Sequence, residues 1–387
     1  MDLEAISLFE PDSGEREIAL VQTVLESTRW SDGPMLEAFE RAFAGWVGRS
    51  HAVAVGSGTL ATWVALRALG IGPGDEVVCS AHSWHQVAQA IASAGATPVF
   101  ADIDYWSGCI SPERAALKIG PHTKAILACN ANGHPAAWQA LRALADAHGL
   151  ALLEDSSEAL GSRYQGRGVG SFGDVAVFDF STPSALCTGE GGMLVTDDET
   201  LAHELRYLRQ RRVADRHSVS VGSRVPLQAG MSEITAAVGL AQLAGLDDRL
   251  TQRKQVEAWY HEEMQSFEGI KPPYLAEDVD EVHWMLYVVH LGKRFSGSAR
   301  TQMIDDLRSC GIETAAYSQP LHRQFFYMQA GDAIGRKRGL LPDTDRIGDR
   351  ALALPLHTQL DADQVKFIVK TLKDTATNVG AGAAIYL

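Results

Sequence analysis

Between residues 35 and 200, short apolar runs alternate with helical patterns, and this alternation limits the fold more than any other feature of the 387-residue chain. The apolar runs are AVAVGSG (52–58), DEVVCSA (75–81), TPVFADID (97–104), TKAILACN (123–130), ALLEDSS (151–157), VAVFDF (175–180) and GMLVTDD (192–198). Stretches such as TLATWVALRALGI and QVAQAIASAG lie between them with helical spacing. Strands that alternate with helices predict an α/β fold, with a mostly parallel sheet sandwiched by helices. Ligands of such sheets sit beyond the carboxyl ends of the strands. Polar residues gather at those ends: Ser57, Gly58 and Thr59; His82, Trp84 and His85; Asn130; Asp155 and Glu158; and the run from Asp179 to Thr188.

After a long amphipathic helical stretch at 232–267 the pattern changes, and 283–291, 298–312 and 361–376 predict a smaller α+β C-terminal domain. The expected division is an N-terminal segment (1–30) packing near the small domain, a large α/β domain (31–255) and the small domain (256–387). The Gly/Ala-rich end, NVGAGAAIYL, predicts poor order. Lys and Arg number 34 against 48 Asp and Glu, a formal charge of −14, which argues against nucleic acid or an anionic membrane as partner. The start lacks the basic and apolar regions of a signal peptide, and no apolar run approaches the roughly 20 residues of a bilayer span. Five cysteines, no two close in sequence, suit buried thiols of a reducing compartment, not a disulfide framework or a metal site. The expectation is a cytoplasmic protein acting on a small molecule.

Longer stretches follow one another through nearly the whole chain: GPMLEAFERAFAGWVG (33–48), HAVAVGSGTLATWVALRALGIGPGDEVV (51–78), GATPVFADID (95–104), LLEDSSEALGSRYQGRGVGSFGDVAVF (152–178), TGEGGMLVTDD (188–198), MSEITAAVGLAQLAGLD (231–247) and QPLHRQFF (319–326). In this order they resemble the DegT/DnrJ/EryC1/StrS sugar-aminotransferase family, vitamin-B6-dependent enzymes of fold type I. The resemblance implies that Gly58 and Thr59 hold a phosphate at a helix start and that Trp84 stacks on the pyridine ring. It implies that Asp155 pairs with the protonated ring nitrogen, that Gln228 lies in the segment a partner subunit offers to the cofactor phosphate, and that the protein is a homodimer with sites at the interface. Trp30 and Asp32 fall at the substrate mouth, and His322 and His357 where the small domain closes over substrate. Asn130, at a strand end, is a further substrate-binding candidate. The plainer readings are helix caps for Ser57–Thr59 and Asp155, and a core position for Trp84.

Other positions depart from the family. Counted back from Gly189–Gly192, its Schiff-base lysine falls on Ser184 and its phosphate-binding serine on Asp179. A serine forms no Schiff base. A carboxylate about 4 Å from a phosphate charge costs about 4 kcal/mol per charge pair at an effective dielectric near 20. The Gln or His expected three residues after Asp155 is Glu158, and Gln228 and Gly230 replace an Asn and an Arg. An engineered Lys-to-Ser change explains Ser184 alone, and no other lysine has a sequence context that places it in the cleft.

A polar set remains for acid/base work. Glu158 and Asp179 are two carboxylates in a confined space, where repulsion leaves an acid beside a base. His82 and His85 titrate near neutrality, and Ser184 stays a catalytic candidate although its hydroxyl shuttles protons poorly. Each carboxylate can equally be paired with Arg163, Arg167 or a neighbouring subunit's arginine; burial suits Cys187. Three readings follow. The first is cofactor-independent acid/base chemistry (cyclisation, dehydration, isomerisation or condensation) on a small carbonyl compound in specialised biosynthesis. The second is non-covalent use of pyridoxal or pyridoxamine phosphate (PLP or PMP), for amino transfer or keto-sugar dehydration. The third is an inactive scaffold supporting an active paralogue.

Overall fold

The computed structural model describes residues 5–209, 225–265, 267, 269–333 and 340–384. Strands β1 (His51–Val55), β2 (Glu76–Ser80), β3 (Thr97–Ala101), β4 (Thr123–Cys129) and β5 (Ala151–Asp155) belong to the large sheet. A small hairpin follows, β6 (Arg163–Tyr164) and β7 (Arg167–Gly168), and then β8 (Val175–Asp179) and β9 (Gly192–Thr196) complete the sheet. The seven strands run in the order β1-β9-β8-β5-β4-β2-β3. Only β9 is antiparallel to its neighbours. Every residue of β2, β8 and β9 is buried, as expected for strands covered on both faces.

Helices α1 (Glu15–Glu26), α2 (Pro34–Val47), α3 (Gly58–Ala68), α4 (His85–Ser93), α5 (Pro112–Ala116), α6 (Trp138–His148), α7 (Glu199–Arg209) and α8 (Glu233–Ala244) surround this sheet. Val64 and Leu66 of α3 with Val87 and Ile91 of α4 cover one face. Phe39 and Phe43 of α2 with Ala236 of α8 cover part of the other. Each of the larger side chains contributes about 1.5–3 kcal/mol by leaving water. The buried Glu233 carboxylate fixes the start of α2, accepting the amides of Gly33 (3.0 Å), Met35 (2.9 Å) and Leu36 (3.0 Å).

The second unit has a four-stranded sheet of β10 (Ile270–Lys271), β12 (Tyr287–Leu291), β14 (Ala351–Leu354) and β13 (Ala315–Ala316), while β11 (Val279–Glu281) joins the β6–β7 hairpin. Its helices are α9 (Leu246–Glu263), α10 (Gly297–Ser309), α11 (Phe325–Ala333), α12 (Pro342–Arg350) and α13 (Ala362–Ala384). The large α/β domain and the smaller α+β domain agree with the sequence. Four details differ. The helical stretch at 232–267 breaks at Gly245 into α8 and α9. The division expected at 255/256 falls inside α9, which packs on α13 of the small domain. The Gly/Ala-rich end is helical through Ala384, in keeping with the high helix propensity of alanine. Cys310 is exposed, although the other four cysteines are buried. The N-terminal segment does reach the small domain, where the Ile6 amide donates to the Gly311 carbonyl at 2.8 Å. Helix α1 lies instead on α8, with Gln242 donating to Glu17 at 2.9 Å.

Candidate active site

Asp155 ends β5, buried, with its Oδ1 accepting the Ser157 hydroxyl (2.5 Å) and amide (3.0 Å). Its other oxygen has the Cys129 thiol at 3.9 Å. Burial pushes this carboxyl up to about 6; the Ser157 bonds oppose that shift, and the Asp179 and Glu154 charges add to it. The neighbouring Glu154 is structural: it accepts the amides of Phe172 (2.8 Å) and Gly173 (3.0 Å).

Glu158 follows on the turn after β5. Its Oε2 accepts the Asn132 amide and, at 2.5 Å, the Tyr317 hydroxyl, while its Oε1 is buried with no partner. Burial raises this carboxyl to about 8, the Asp155 charge adds to the shift, and the bonds from Tyr317 and Asn132 act against it. Asn132 sits at φ 50°, a left-handed position that asparagine tolerates. Its side chain clasps the backbone of Leu286 through two 3.0 Å bonds, so the residue that holds Glu158 also joins the two domains. Tyr317 comes from the small domain just after β13. Sequence reading overlooked both residues, although Tyr317 stands two places before the quoted QPLHRQFF.

Ser184 is buried after β8, and its Oγ accepts the Leu186 amide at 3.3 Å. With Ser157, Glu158, Arg253 and His283 it lines a cavity of about 10 Å³, room for about one water. No lysine lines this cavity. Lys254 bonds Glu257 at 2.8 Å, Lys373 bonds the Glu263 carbonyl at 2.6 Å, and Lys271 lies over the Trp106 ring. Lys124, Lys293, Lys366 and Lys370 are exposed, Lys118 is half-buried beyond α5, and Lys337 lies outside the described residues. Asp179 ends β8; its Oδ1 accepts the Ser181 amide at 2.7 Å, and its carboxyl lies against Gly58. Arg163 and Arg167 donate to backbone carbonyls, and no Lys or Arg among the described residues pairs with Asp155, Glu158 or Asp179.

His82 is buried with Nδ1–H donating to the Gly108 carbonyl at 2.9 Å, its ring edge-on to Tyr317 and its Nε2 without a partner. Burial lowers its basicity, and the Gly108 bond partly restores it. Trp84 is half-buried before α4, whereas His85, the first residue of α4, is exposed. Gly58 and Thr59 begin α3, whose cap is Ser57, its Oγ accepting the Leu60 amide at 3.2 Å.

The remaining candidates have other contacts or are exposed. Asn130 is held as a clasp. Its Oδ1 accepts from Ala136 and Trp138 at 2.9 Å each, and its Nδ2 donates to Ser156 at 2.9 Å. Trp30 and Gln228 are exposed, and His322 is paired with Asp345 at 3.0 Å. His357 is buried on the Ser7 carbonyl at 3.1 Å.

The DegT/DnrJ/EryC1/StrS aminotransferase family matches residues 11–373. The chain belongs to this family. It is 36% identical over 374 residues to the spore coat polysaccharide biosynthesis protein SpsC of Bacillus subtilis, covering 94% of this chain and 95% of that protein. Among solved structures, the aminotransferase TlmJ of Streptoalloteichus hindustanus superposes with a TM-score of 0.88 at 30% identity, over 97% of this chain and all of that one. DesV of S. venezuelae, solved with a ketimine intermediate, gives 0.84 at 35% identity over 93% and 94% of the two chains.

Pyridoxal phosphate is the group this family implies, and the site fits it in part. The Asp155 carboxyl and Trp84 suit the ring end. The other two ends do not fit: Ser184 and its neighbours offer no amine for a covalent link, and a carboxylate lies at the start of α3. Among the described residues no group of His, Cys, Asp or Glu can hold a metal ion, and no helix is long and apolar enough to cross a membrane.

Proposed function

We propose that this member of the family performs acid/base chemistry on a small carbonyl compound, such as a keto-sugar, without a lysine-bound cofactor. By the family motif Ser184 takes the place of the lysine. The observation that carries the reading is the Glu158 carboxyl, raised to about 8 beside an Asp155 raised to about 6. Near pH 7 the first is mostly the acid and the second mostly the base, which is how two like groups divide proton transfer. Glu158 keeps Oε1 free, while Tyr317 and Asn132 hold Oε2. Once a substrate opens the one-water cavity that Glu158 lines, the free end gives a proton to a carbonyl oxygen or a departing hydroxyl, and Asp155 takes one from the neighbouring carbon. Dehydration, isomerisation and cyclisation all follow from that pair of transfers.

The sugar scaffold in this proposal draws support from the likeness to a spore coat polysaccharide biosynthesis protein and to the sugar aminotransferase CalS13 of Micromonospora echinospora. We also expect a homodimer, in which the exposed Trp30 and Leu227 become covered. The test is exchange of carbon-bound hydrogen in D2O across a panel of keto-sugars, followed by NMR. Exchange by protein without pyridoxal absorbance, lost in Glu158→Gln, supports the reading. A pyridoxal band that resists dialysis, or exchange that persists in the variant, overturns it. Asp155 and Trp84 favour a second reading, in which PLP or PMP binds without a covalent link; activity that appears only on adding PMP would establish it.

A further inference from the structure

At the start of α3, three segments meet without side chains to separate them. Gly192 pairs with Asp179 on one side and with Val55 on the other. A Cβ on Gly192 would stand 2.5 Å from the Ser57 carbonyl oxygen, so only glycine lets β9 pass this close. A Cβ on Gly58 would stand 2.5 Å from Asp179 Oδ2 and 2.7 Å from its Cγ. The Asp179 carboxyl therefore lies flat on the first residue of α3, pinned by the Ser181 amide at 2.7 Å. Capping does not explain its position, because its carboxyl accepts the Ser181 amide and the side chain that caps α3 is Ser57, through Leu60.

We infer that Asp179 is a specificity-determining residue: it keeps the start of α3 for its own carboxylate and restricts the site to ligands with a neutral or cationic group there, in place of a phosphate. The inference deepens the lysine-free reading above and rests on it. A helix start favours one negative charge, and Asp179 supplies that charge from within the chain. Asp155 adds a second carboxylate from the adjacent strand, with its Cα opposite Val177 in the register, two residues before Asp179. No described Lys or Arg is paired with either one. A phosphate placed here meets two carboxylates to which no Lys or Arg among the described residues is paired, whereas an amine or a hydroxyl finds acceptors.

Pyridoxamine and pyridoxamine 5′-phosphate differ only in the phosphate and make the decisive pair of probes. Their dissociation constants are measured by titration calorimetry on the full chain, with inorganic phosphate in a parallel melting assay. In the natural protein, pyridoxamine 5′-phosphate is expected to bind no more tightly than pyridoxamine. In Asp179→Ser, the ratio shifts towards the phosphate by about 100-fold, and inorganic phosphate raises the melting temperature. Asp179→Asn keeps the acceptor for Ser181 and shifts the ratio by about 10-fold, which covers the case in which the serine variant does not fold. The inference is overturned if the natural protein prefers the phosphate by more than 10-fold. It is overturned equally if folded variants gain neither the ratio shift nor the phosphate response. A lysine-linked pyridoxal band would sink the proposed function but leave these ratios readable.

Discussion

The two ends of the large sheet treat their carboxylates in opposite ways. Before β1 and after β9, an open cleft is lined by Arg49, Asp174 and Asp197, and its acids are satisfied. Asp197 accepts Arg49 at 2.8 Å together with the Ser50 amide and hydroxyl at 2.8 and 2.9 Å, and Asp174 accepts Arg142 at 2.7 Å. Partial burial works to raise Asp197, but Ser50 and Arg49 outweigh it and hold the carboxyl below its usual range. At the other end Asp155 and Glu158 have no paired cation among the described residues, and burial drives both upward. Structural acids are stabilised by partners; acids kept for proton transfer are raised by their absence. The large cleft is thus the less informative one, despite its size.

The largest effect expected is on Glu158. Glu158→Gln removes the donor proton and should lower turnover by at least about 100-fold. Asp197→Asn at the opposite end should leave turnover unchanged and cost about 1 kcal/mol of stability. Steady-state kinetics and denaturant melts on the two variants separate the ends. Equal losses of turnover would erase the contrast between them.

Tyr317→Phe comes next. The lost hydroxyl donates to the ionised form of Glu158, so its removal pushes the carboxyl above about 8. Turnover should fall by about 10-fold, and the alkaline limb of the pH–rate profile should move up. In the natural protein that limb reports Glu158 losing its proton near 8, and the acid limb reports Asp155 gaining one near 6. A profile with unmoved limbs would deny Tyr317 its positioning role.

Tyr317 and Asn132 also show where the sequence stops being legible. Asp155 was readable because it ends a short apolar strand at the sheet's carboxyl edge, and Glu158 because the resemblance to the family marks the position three residues later. Asn130 matched that description equally well, yet its bonding capacity is taken up by Ala136, Trp138 and Ser156. Strand-end position cannot distinguish a clasp from a contact. The partners of Glu158 come from 26 residues before it and 159 after it in the chain. The Tyr317 contact exists only once the two domains have docked, the Asn132 contact only once β4 and β5 pair, and no local pattern encodes either.

A smaller effect concerns stability. Both raised carboxyls bind protons more tightly in the folded chain, from ordinary values of 3.8 and 4.5 up to about 6 and 8. Their contribution is full below about pH 4 and is lost as pH rises through 8. The melting temperature should therefore decline between pH 5 and 8 by a few degrees, and Glu158→Gln should flatten that slope. A steeper slope in the variant would assign the linkage elsewhere.

The smallest effect tests Ser184 itself. Its hydroxyl accepts a 3.3 Å bond from Leu186 and lines the one-water cavity beside Glu158. A serine in this setting neither forms a Schiff base nor gives up its proton near neutrality. Ser184→Ala should therefore change turnover by less than about 3-fold and leave the pH limbs in place. A loss comparable to that of Glu158→Gln would mean that the hydroxyl, or the water it borders, belongs to the proton path. The acid/base pair would then have a third member.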